Sequence, residues 1–227
     1  KRINYILKAA AGLPFTVIPK KNMKNLSEKY PFRFIETVRI ENGTLCNCDL
    51  HDERIMQTFL KYFPHKTPFT LMDIQPDYCH GIGRCKLRIL YSENDIDHSV
   101  SEYKPKKIRS AAVVECNDAE YSFKHEDRSL FSSIINNNYD EIIILKNGFV
   151  TDSTFSNLAF YDSGKWFTPE TFLLNGTMRQ SLLADNIIHE KRIAAEDIRN
   201  FEKISFINSM LDLGESCLST DEIVLNY

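Results

Sequence analysis

The stretch Tyr121-Ser122-Phe123-Lys124-His125-Glu126-Asp127-Arg128-Ser129-Leu130 lies between an extended run and a helical run, and its reading organises the second half of the chain. Ahead of it, Ile108 to Glu115 is extended in pattern. Behind it, Leu130, Phe131, Ile134 and Ile135 recur at helical spacing, which predicts a helix over Ser129–Asn136. Asn136-Asn137-Asn138 ends that helix, because asparagine tolerates the left-handed region. The connection between the two runs carries one lysine, Lys124, beside Phe123 and a cluster of charge. A lysine in a polar connection is by default a solvated side chain. Lys124 gains meaning only from what the chain places around it.

Downstream the pattern is sheet-rich. Glu141 to Leu145 is a nearly continuous apolar run, as in a buried strand. Lys146-Asn147-Gly148 turns it into Phe149-Val150-Thr151, and Asp152-Ser153-Thr154-Phe155-Ser156-Asn157 leads to a further strand, Leu158–Tyr161. Asp162-Ser163-Gly164 turns again into Lys165–Pro169. A helix is predicted from Leu173-Leu174-Asn175-Gly176-Thr177-Met178-Arg179 to about Ile188, with Asn175 as its N-cap. Glycine at 176 leaves the first backbone N–H groups of that helix open to an anion. Lys203–Asn208 reads as a strand ending in Ser209-Met210-Leu211-Asp212.

Upstream, Phe32–Ile40 is rich in Phe, Ile, Val and Thr and ends at Glu41-Asn42-Gly43. Asn-Gly is a strong hairpin signal, so Thr44–Leu50 is expected as the return strand. A helix follows over His51–Phe63, with Ile55, Met56, Phe59, Leu60 and Phe63 at helical spacing and Asp49 or Asp52 as cap. Arg54 is thereby expected in its first turn. Gly81-Ile82-Gly83 is half of a dinucleotide fingerprint, but a strand, Cys85–Tyr91, follows it rather than a helix, and that reading is rejected. On this strand Lys86 and Arg88 share one face, and Ser99–Tyr103 reads as another short strand. Lys104-Pro105-Lys106-Lys107 looks like a linker. The expected organisation is an extension over 1–30, a small N-terminal domain over 31–104 and a larger C-terminal domain over 105–227, in an α+β class.

Composition narrows the field. The chain has 227 residues, 43% of them hydrophobic and 26% charged, with a net charge of -3. That suits a globular protein and gives no global basic field to attract nucleic acid. Lys1-Arg2 followed by Ile3-Asn4-Tyr5-Ile6-Leu7 faintly suggests a signal peptide, but Lys8 interrupts the apolar run. No run approaches the ~20 apolar residues of a membrane span. None of the six cysteines forms a C-x-x-C pair. Cys46-Asn47-Cys48 is a C-x-C expected on a strand, without partners at metal-ligand spacing. Scattered free thiols in a reducing cytoplasm is the plain reading.

Four pieces stand out in order along the chain. They are His51-x-x-Arg54 after the Asn-Gly hairpin, Lys124, Asn147-Gly148-x-Val150-Thr151-Asp152-x-x-x-Ser156-Asn157, and Gly176-Thr177-Met178-Arg179-Gln180. The set resembles the class IV aminotransferase family, pyridoxal-phosphate enzymes of fold type IV. The likeness covers roughly residues 32–212. It implies the two-domain fold of D-amino acid aminotransferase-like enzymes, with a small N-terminal α/β sandwich and a larger sheet-rich C-terminal domain. The hairpin Phe34-Ile35-Glu36-Thr37-Val38-Arg39-Ile40-Glu41-Asn42-Gly43 and the Gly176–Gln180 helix start look closest to the small lyase-like members, the aminodeoxychorismate lyases.

The resemblance implies a role for each piece. Lys124 matches the family's Schiff-base lysine, whose amine condenses with the aldehyde of pyridoxal 5'-phosphate and later moves a proton at the substrate carbon. Asp152 falls where the family usually has glutamate, the carboxylate that keeps the pyridine nitrogen protonated. Arg54 matches the arginine that pairs with the cofactor phosphate, and Gly176, Thr177 and Met178 would offer backbone N–H groups to the same phosphate. Ser209 lies at the matching C-terminal turn as a further donor. Arg39 and Arg88, with Lys86 beside them, lie on strands that face the cofactor in the family and would suit a dianionic substrate. His51 and Asn157 read as structural, the first fixing the helix start and the second holding the loop after Asp152. Branched-chain aminotransferases carry a tyrosine shortly after the lysine, whereas Arg128 and Ser129 occupy that stretch here, as in the lyases. The resemblance thus implies a cytoplasmic homodimer that acts on a small amine or amino acid substrate. Its activity would be aminodeoxychorismate lyase-like. An amino acid aminotransferase of the branched-chain or D-amino acid type is the alternative, and a catalytically degenerate scaffold is a third reading.

Overall fold

The computed structural model describes residues 5–6, 32–75, 83–135 and 138–225. The chain divides into two compact units, Lys1–Tyr103 and Lys104–Tyr227. Apart from Tyr5–Ile6, the expected extension over 1–30 lies outside the described residues, as do the first two residues of Gly81-Ile82-Gly83. Among the described residues no helix is long and apolar enough to cross a membrane.

The N-terminal unit is one antiparallel sheet with a helix. Strand β1 is Tyr5–Ile6, β2 is Phe34–Glu41 and β3 is Thr44–Leu45. Helix α1 spans Cys48–Tyr62, and β4 and β5 span Arg84–Tyr91 and Ile96–Glu102. The strand order is β1-β3-β2-β4-β5. Asn42 and Gly43 both take positive φ, 48° and 78°, the twist that a two-residue hairpin turn needs. The return strand expected over Thr44–Leu50 stops after two residues, because Asn47 turns left-handed (φ 53°) and starts α1 there. Neither Asp49 nor Asp52 caps this helix. Asp49 lies inside its first turn, and Asp52 accepts instead from the Leu71 N–H, 2.7 Å away. Arg54 consequently lies in the second turn, not the first.

Two cysteine expectations also fail. Cys46 and Cys48 do not share a strand, since the left-handed Asn47 separates the hairpin from α1. Cys46, Cys48, Cys116 and Cys217 are free, but Cys85 is disulfide-bonded. A sequence carries no distance between thiols, and pairing depends on Cα atoms coming within about 4.4–6.8 Å.

The C-terminal unit begins with β6, Ala111–Glu115. The Lys124 connection and α2, Ser129–Ile134, lead to β7, Glu141–Lys146, which runs parallel to β6. The opening stretch is thus part of a strand–helix–strand crossover, which parallel strands require. Next come β8 (Phe149–Ser153), β9 (Asn157–Asp162) and β10 (Lys165–Pro169). Helix α3 spans Thr177–Ala184, and β11, β12, β13 and β14 span Ile188–Lys191, Lys203–Ile207, Cys217–Ser219 and Ile223–Leu225. One sheet has the order β14-β6-β7-β8 and the other β11-β10-β9-β12-β13. The main core lies between them, with Val113, Ile143, Leu145 and Val150 meeting Leu158, Phe160, Ile204 and Phe206. Strand alternation sends Ile144 to the opposite face, where it packs with Tyr121, Phe131 and Leu173 under the Lys124 connection. Ala159 and Ile207 likewise face Met178 and Leu182 of α3.

Here too the ends of elements differ from expectation. Helix α3 starts with Gly176 rather than Asn175 as N-cap and stops at Ala184. Asn186 is left-handed (φ 54°), and Ile188 already belongs to β11, parallel to β10. The short strands β13 and β14 carry too few residues for a legible period, and β14 closes the edge of its sheet beside β6.

Candidate active site

In the C-terminal unit Asp152 and Asn157 meet the segment that leads into α3. Asp152, on β8, is buried, with 5% of its surface exposed. Its Oδ1 accepts from Asn157 Nδ2 at 2.7 Å, and its Oδ2 accepts from the N–H groups of Leu173 (3.0 Å) and Leu174 (2.9 Å). Burial pushes its pKa up from the ordinary 3.8 to about 6, against the opposing pull of these three donors and of the Arg179 charge. The segment before α3 comes to the short carboxylate.

Asn157 is the link between Asp152 and α3. Its Nδ2 also donates to the Leu174 carbonyl at 2.8 Å, and its Oδ1 lies directly over Gly176. A Cβ at 176 would stand 2.1 Å from that oxygen, so only glycine fits. Gly176 has no side chain to cap the helix, which leaves the first-turn N–H groups of Thr177 and Met178 for an outside anion. Thr177 Oγ1 is buried and has no hydrogen-bond partner. A native fold seldom leaves a buried hydroxyl unmatched unless something else is meant to meet it.

Ser209 is buried in the turn after β12. The Met210 N–H donates to Asn208 Oδ1 (2.8 Å), and Asn208 Nδ2 donates to Ser156 Oγ (2.9 Å). This turn is therefore fastened to the loop that follows Asp152. Lys124 is half-buried at the centre of a tight turn in which the His125 N–H donates to the Phe123 carbonyl at 2.9 Å. Tyr121 Oη donates to the His125 carbonyl at 2.8 Å, and Arg128 Nη2 donates to the Thr154 carbonyl. Arg128 thus ties the lysine's connection to the loop between Asp152 and Asn157.

The N-terminal unit holds a second group of candidates. Arg39 on β2 stands directly opposite Lys86 on β4, and Arg88 stands opposite Thr37, so the three cations share one face of the sheet. On the other face, among Phe34, Val38 and Ile40, sits a fully buried carboxylate, Glu36. Arg54 Nε reaches its Oε1 at 2.8 Å, Arg54 Nη2 reaches its Oε2 at 2.6 Å, and His51 Nδ1 lies 2.6 Å from Oε2. Burial alone would raise the Glu36 pKa, but the charge and hydrogen bonds of Arg54, with those of His51, hold it well below the carboxylate range.

A family model described as amino-transferase class IV matches residues 132–214. A crystal structure from Haemophilus somnus, provisionally assigned as a 4-amino-4-deoxychorismate lyase, is 33% identical, with a TM-score of 0.75 over 81% of this chain and 99% of that one. The chain belongs to the class IV aminotransferase family. An uncharacterised protein of Haemophilus influenzae is 38% identical over 188 residues, which is 80% of this chain and 98% of that protein. A provisionally assigned aminodeoxychorismate lyase of Schizosaccharomyces pombe is 36% identical over 98 residues, 41% of this chain and 36% of that protein.

Enzymes of the class IV family use pyridoxal 5'-phosphate, and the residues here fit that group. The α3 start offers uncapped N–H groups and an unmatched hydroxyl suited to a phosphate. Asp152 receives three hydrogen bonds, while a carboxylate has about four acceptor sites, so one remains for a protonated ring nitrogen. Sequence reasoning missed two members of this architecture. Glu36 sits where an alternating strand should carry an apolar residue, and that break in pattern was its signal. Arg179 is buried (2% exposed), bonded to Glu190 (2.5 Å), Pro169 O (3.0 Å) and Asn175 (3.2 Å), with its guanidinium 4.4 Å above the Phe172 ring. It was visible in sequence only as the fourth residue of the Gly176–Gln180 motif.

Proposed function

We propose that this class IV protein is a pyridoxal-phosphate enzyme of the aminodeoxychorismate lyase type, converting 4-amino-4-deoxychorismate to 4-aminobenzoate and pyruvate. One observation carries the cofactor reading. The buried carboxylate of Asp152 and the uncapped start of α3 are joined by a single side chain, Asn157, whose contact with Gly176 keeps the helix start bare. When bound, the cofactor supplies an aldehyde that joins an amine and a pyridine ring that draws electrons from the attached carbon.

The chain's residues take the remaining work. Lys124 Nζ would hold the cofactor through its aldehyde and, once displaced there by the substrate amine, would be the free base that moves the proton at the substrate carbon that bears the amine. Asp152 keeps a proton on the ring nitrogen. The N–H groups of Thr177 and Met178, the Thr177 hydroxyl, Ser209 and Arg54 are the phosphate donors. Arg39 and Arg88, with Lys86 opposite Arg39, suit a substrate with two carboxylates. Arg128 and Ser129, in place of the tyrosine of branched-chain aminotransferases, favour the lyase over the aminotransferase, as does likeness to the two provisionally assigned lyases. By likeness to the family, the enzyme is a cytoplasmic homodimer.

The test is the visible spectrum of the purified protein with added pyridoxal 5'-phosphate, then borohydride reduction and peptide mapping. A yellow protein labelled at Lys124, and colourless as Lys124→Ala, is expected. A colourless protein, or label scattered over surface lysines, overturns the cofactor reading. With 4-amino-4-deoxychorismate, release of 4-aminobenzoate and pyruvate is expected. Amino transfer from an ordinary amino acid to a 2-oxo acid, without those products, would make it an aminotransferase.

A further inference from the structure

From Glu170 to Asn175 the chain between β10 and α3 belongs to neither strand nor helix. Such a segment has no ladder of its own, so its backbone groups depend on side chains to hold them. Two charged side chains take hold of this arc. Asp152 accepts from its middle, at the N–H groups of Leu173 (3.0 Å) and Leu174 (2.9 Å). Arg179 takes its two ends. Its Nη2 donates to the Pro169 carbonyl at 3.0 Å, and its Nη1 donates to Asn175 Oδ1 at 3.2 Å. Between those ends the guanidinium lies 4.4 Å from the centre of the Phe172 ring. Arg179 stands in the first turn of α3, and helical side chains lean toward the N-terminus, so it reaches back over the arc that leads to it. It is 2% exposed, and Glu190 on β11 meets its charge. A lysine there would keep the charge but not both ends, since only the planar guanidinium offers donors fixed in several directions.

We infer that Arg179 is a positioning residue, which grips both ends of the Pro169–Asn175 arc and so keeps the Leu173 and Leu174 N–H groups on the Asp152 carboxylate. The inference rests on the functional reading above, in which that carboxylate meets the ring nitrogen of the cofactor. Arg179 has two ways to act on Asp152. As a charge it favours the ionised carboxylate directly, the other groups that do so being the Asn157 amide and the two backbone N–H groups. As a clamp it favours the same form by keeping those two N–H donors in place. A third role, support of the fold alone, leaves the carboxylate unaffected. Substitution separates the three, because lysine keeps the charge without the clamp and methionine loses both.

The first readout is the titration of Asp152 in the full chain freed of cofactor, followed by the carboxyl-carbon NMR resonance that disappears in Asp152→Asn. The wild-type midpoint is expected at about 6. Arg179→Lys and Arg179→Met are both expected to raise it by about one pH unit, the worth of a loosened charge-assisted hydrogen bond. Asn175→Ala, which frees one end of the arc at an exposed residue, is expected to raise it by less. A midpoint raised in Arg179→Met alone shows that the charge acts and not the clamp, and overturns the inference. So does a midpoint that stays or falls in both Arg179 variants. Should these fail to fold, Asn175→Ala decides in the same way. The second readout is affinity for pyridoxal 5'-phosphate, compared with wild type at the same pH so that the ligand's own titration cancels. With the midpoint moved from about 6 to about 7, Arg179→Lys should bind about fivefold more weakly at about pH 6 and equally at about pH 8. Equal weakening at both pH values marks a structural role and overturns the inference. A wild-type protein that binds no pyridoxal 5'-phosphate overturns the functional reading, and the Asp152 titration then still decides whether Arg179 holds the arc on it.

Discussion

Asn157 lies so close over Gly176 that a Cβ on residue 176 would stand 2.1 Å from the Asn157 Oδ1. The same Asn157 amide holds Asp152 and the Leu174 carbonyl, so it cannot move aside without releasing one of them. Gly176→Ala is therefore expected to destabilise the protein by about 1–3 kcal/mol, the usual cost of overpacking. Denaturant midpoints measure this. The double variant Gly176→Ala/Asn157→Ala removes the clash and should be less unstable than the two single losses summed. Strict additivity would show that the two residues do not press on one another.

Thr177 Oγ1 is buried at the start of α3 without a hydrogen-bond partner. Thr177→Val keeps the shape and removes the unmatched hydroxyl, so the cofactor-free protein is expected to gain about 1 kcal/mol. Pyridoxal 5'-phosphate should bind the variant several-fold more weakly, while pyridoxal, which has no phosphate, should bind equally. Thermal melts without ligand and absorbance titrations check the two halves independently. A variant less stable without ligand would mean that the hydroxyl already has a partner.

Asp152 has a pKa of about 6 in the folded protein, above its ordinary 3.8, because burial outweighs the donors around it. The folded protein thus holds this proton more tightly than the unfolded chain does. The stability it contributes is fully present below pH 3.8 and is lost as the pH rises through about 6, a change of about 3 kcal/mol. Asp152→Asn removes the titration, so the difference in stability between wild type and variant should vary across this window and be flat above it. Cofactor affinity should show the opposite trend and rise with pH through about 6, as the carboxylate that meets the ring nitrogen ionises. Chemical denaturation from pH 4 to 7.5 and cofactor titration over the same range test both.

The sequence was legible wherever a period or a turn signal was long enough to stand alone. The buried strand at Glu141–Lys146 and the hairpin turns at Asn42-Gly43 and Asn147-Gly148 are in place, the two asparagines having φ 48° and 54°. The ordered motifs placed the chain in its family. Element ends were not legible, because they depend on single left-handed residues such as Asn47 and Asn186, whose conformation is set by what packs around them. The role of Asp152 as anchor for Leu173 and Leu174 was hidden for a related reason. Its partners are backbone groups 21 and 22 residues away, and a backbone N–H has no signature in sequence. Glu36 shows the reverse case, in which the pattern marked a misfit and only the packing of α1 explained it.

Arg128 ties the Lys124 connection to the Asp152 loop. Its Nη2 donates to the Thr154 carbonyl, while the guanidinium sits 4.5 Å over the Phe131 ring and 5.8 Å from the Tyr121 ring centre. Tyr121 in turn holds the His125 carbonyl, so the backbone on both sides of Lys124 is anchored through these side chains. Removing Arg128 should loosen the lysine relative to Asp152 while leaving the start of α3 intact. Arg128→Ala is expected to bind pyridoxal 5'-phosphate about tenfold more weakly, since covalent attachment needs Lys124 in place. Pyridoxamine 5'-phosphate carries the same phosphate and ring but no aldehyde, so its affinity should change little. Parallel loss of both would mean that Arg128 supports the whole cofactor site. Unchanged binding of both would mean that Lys124 is positioned without it.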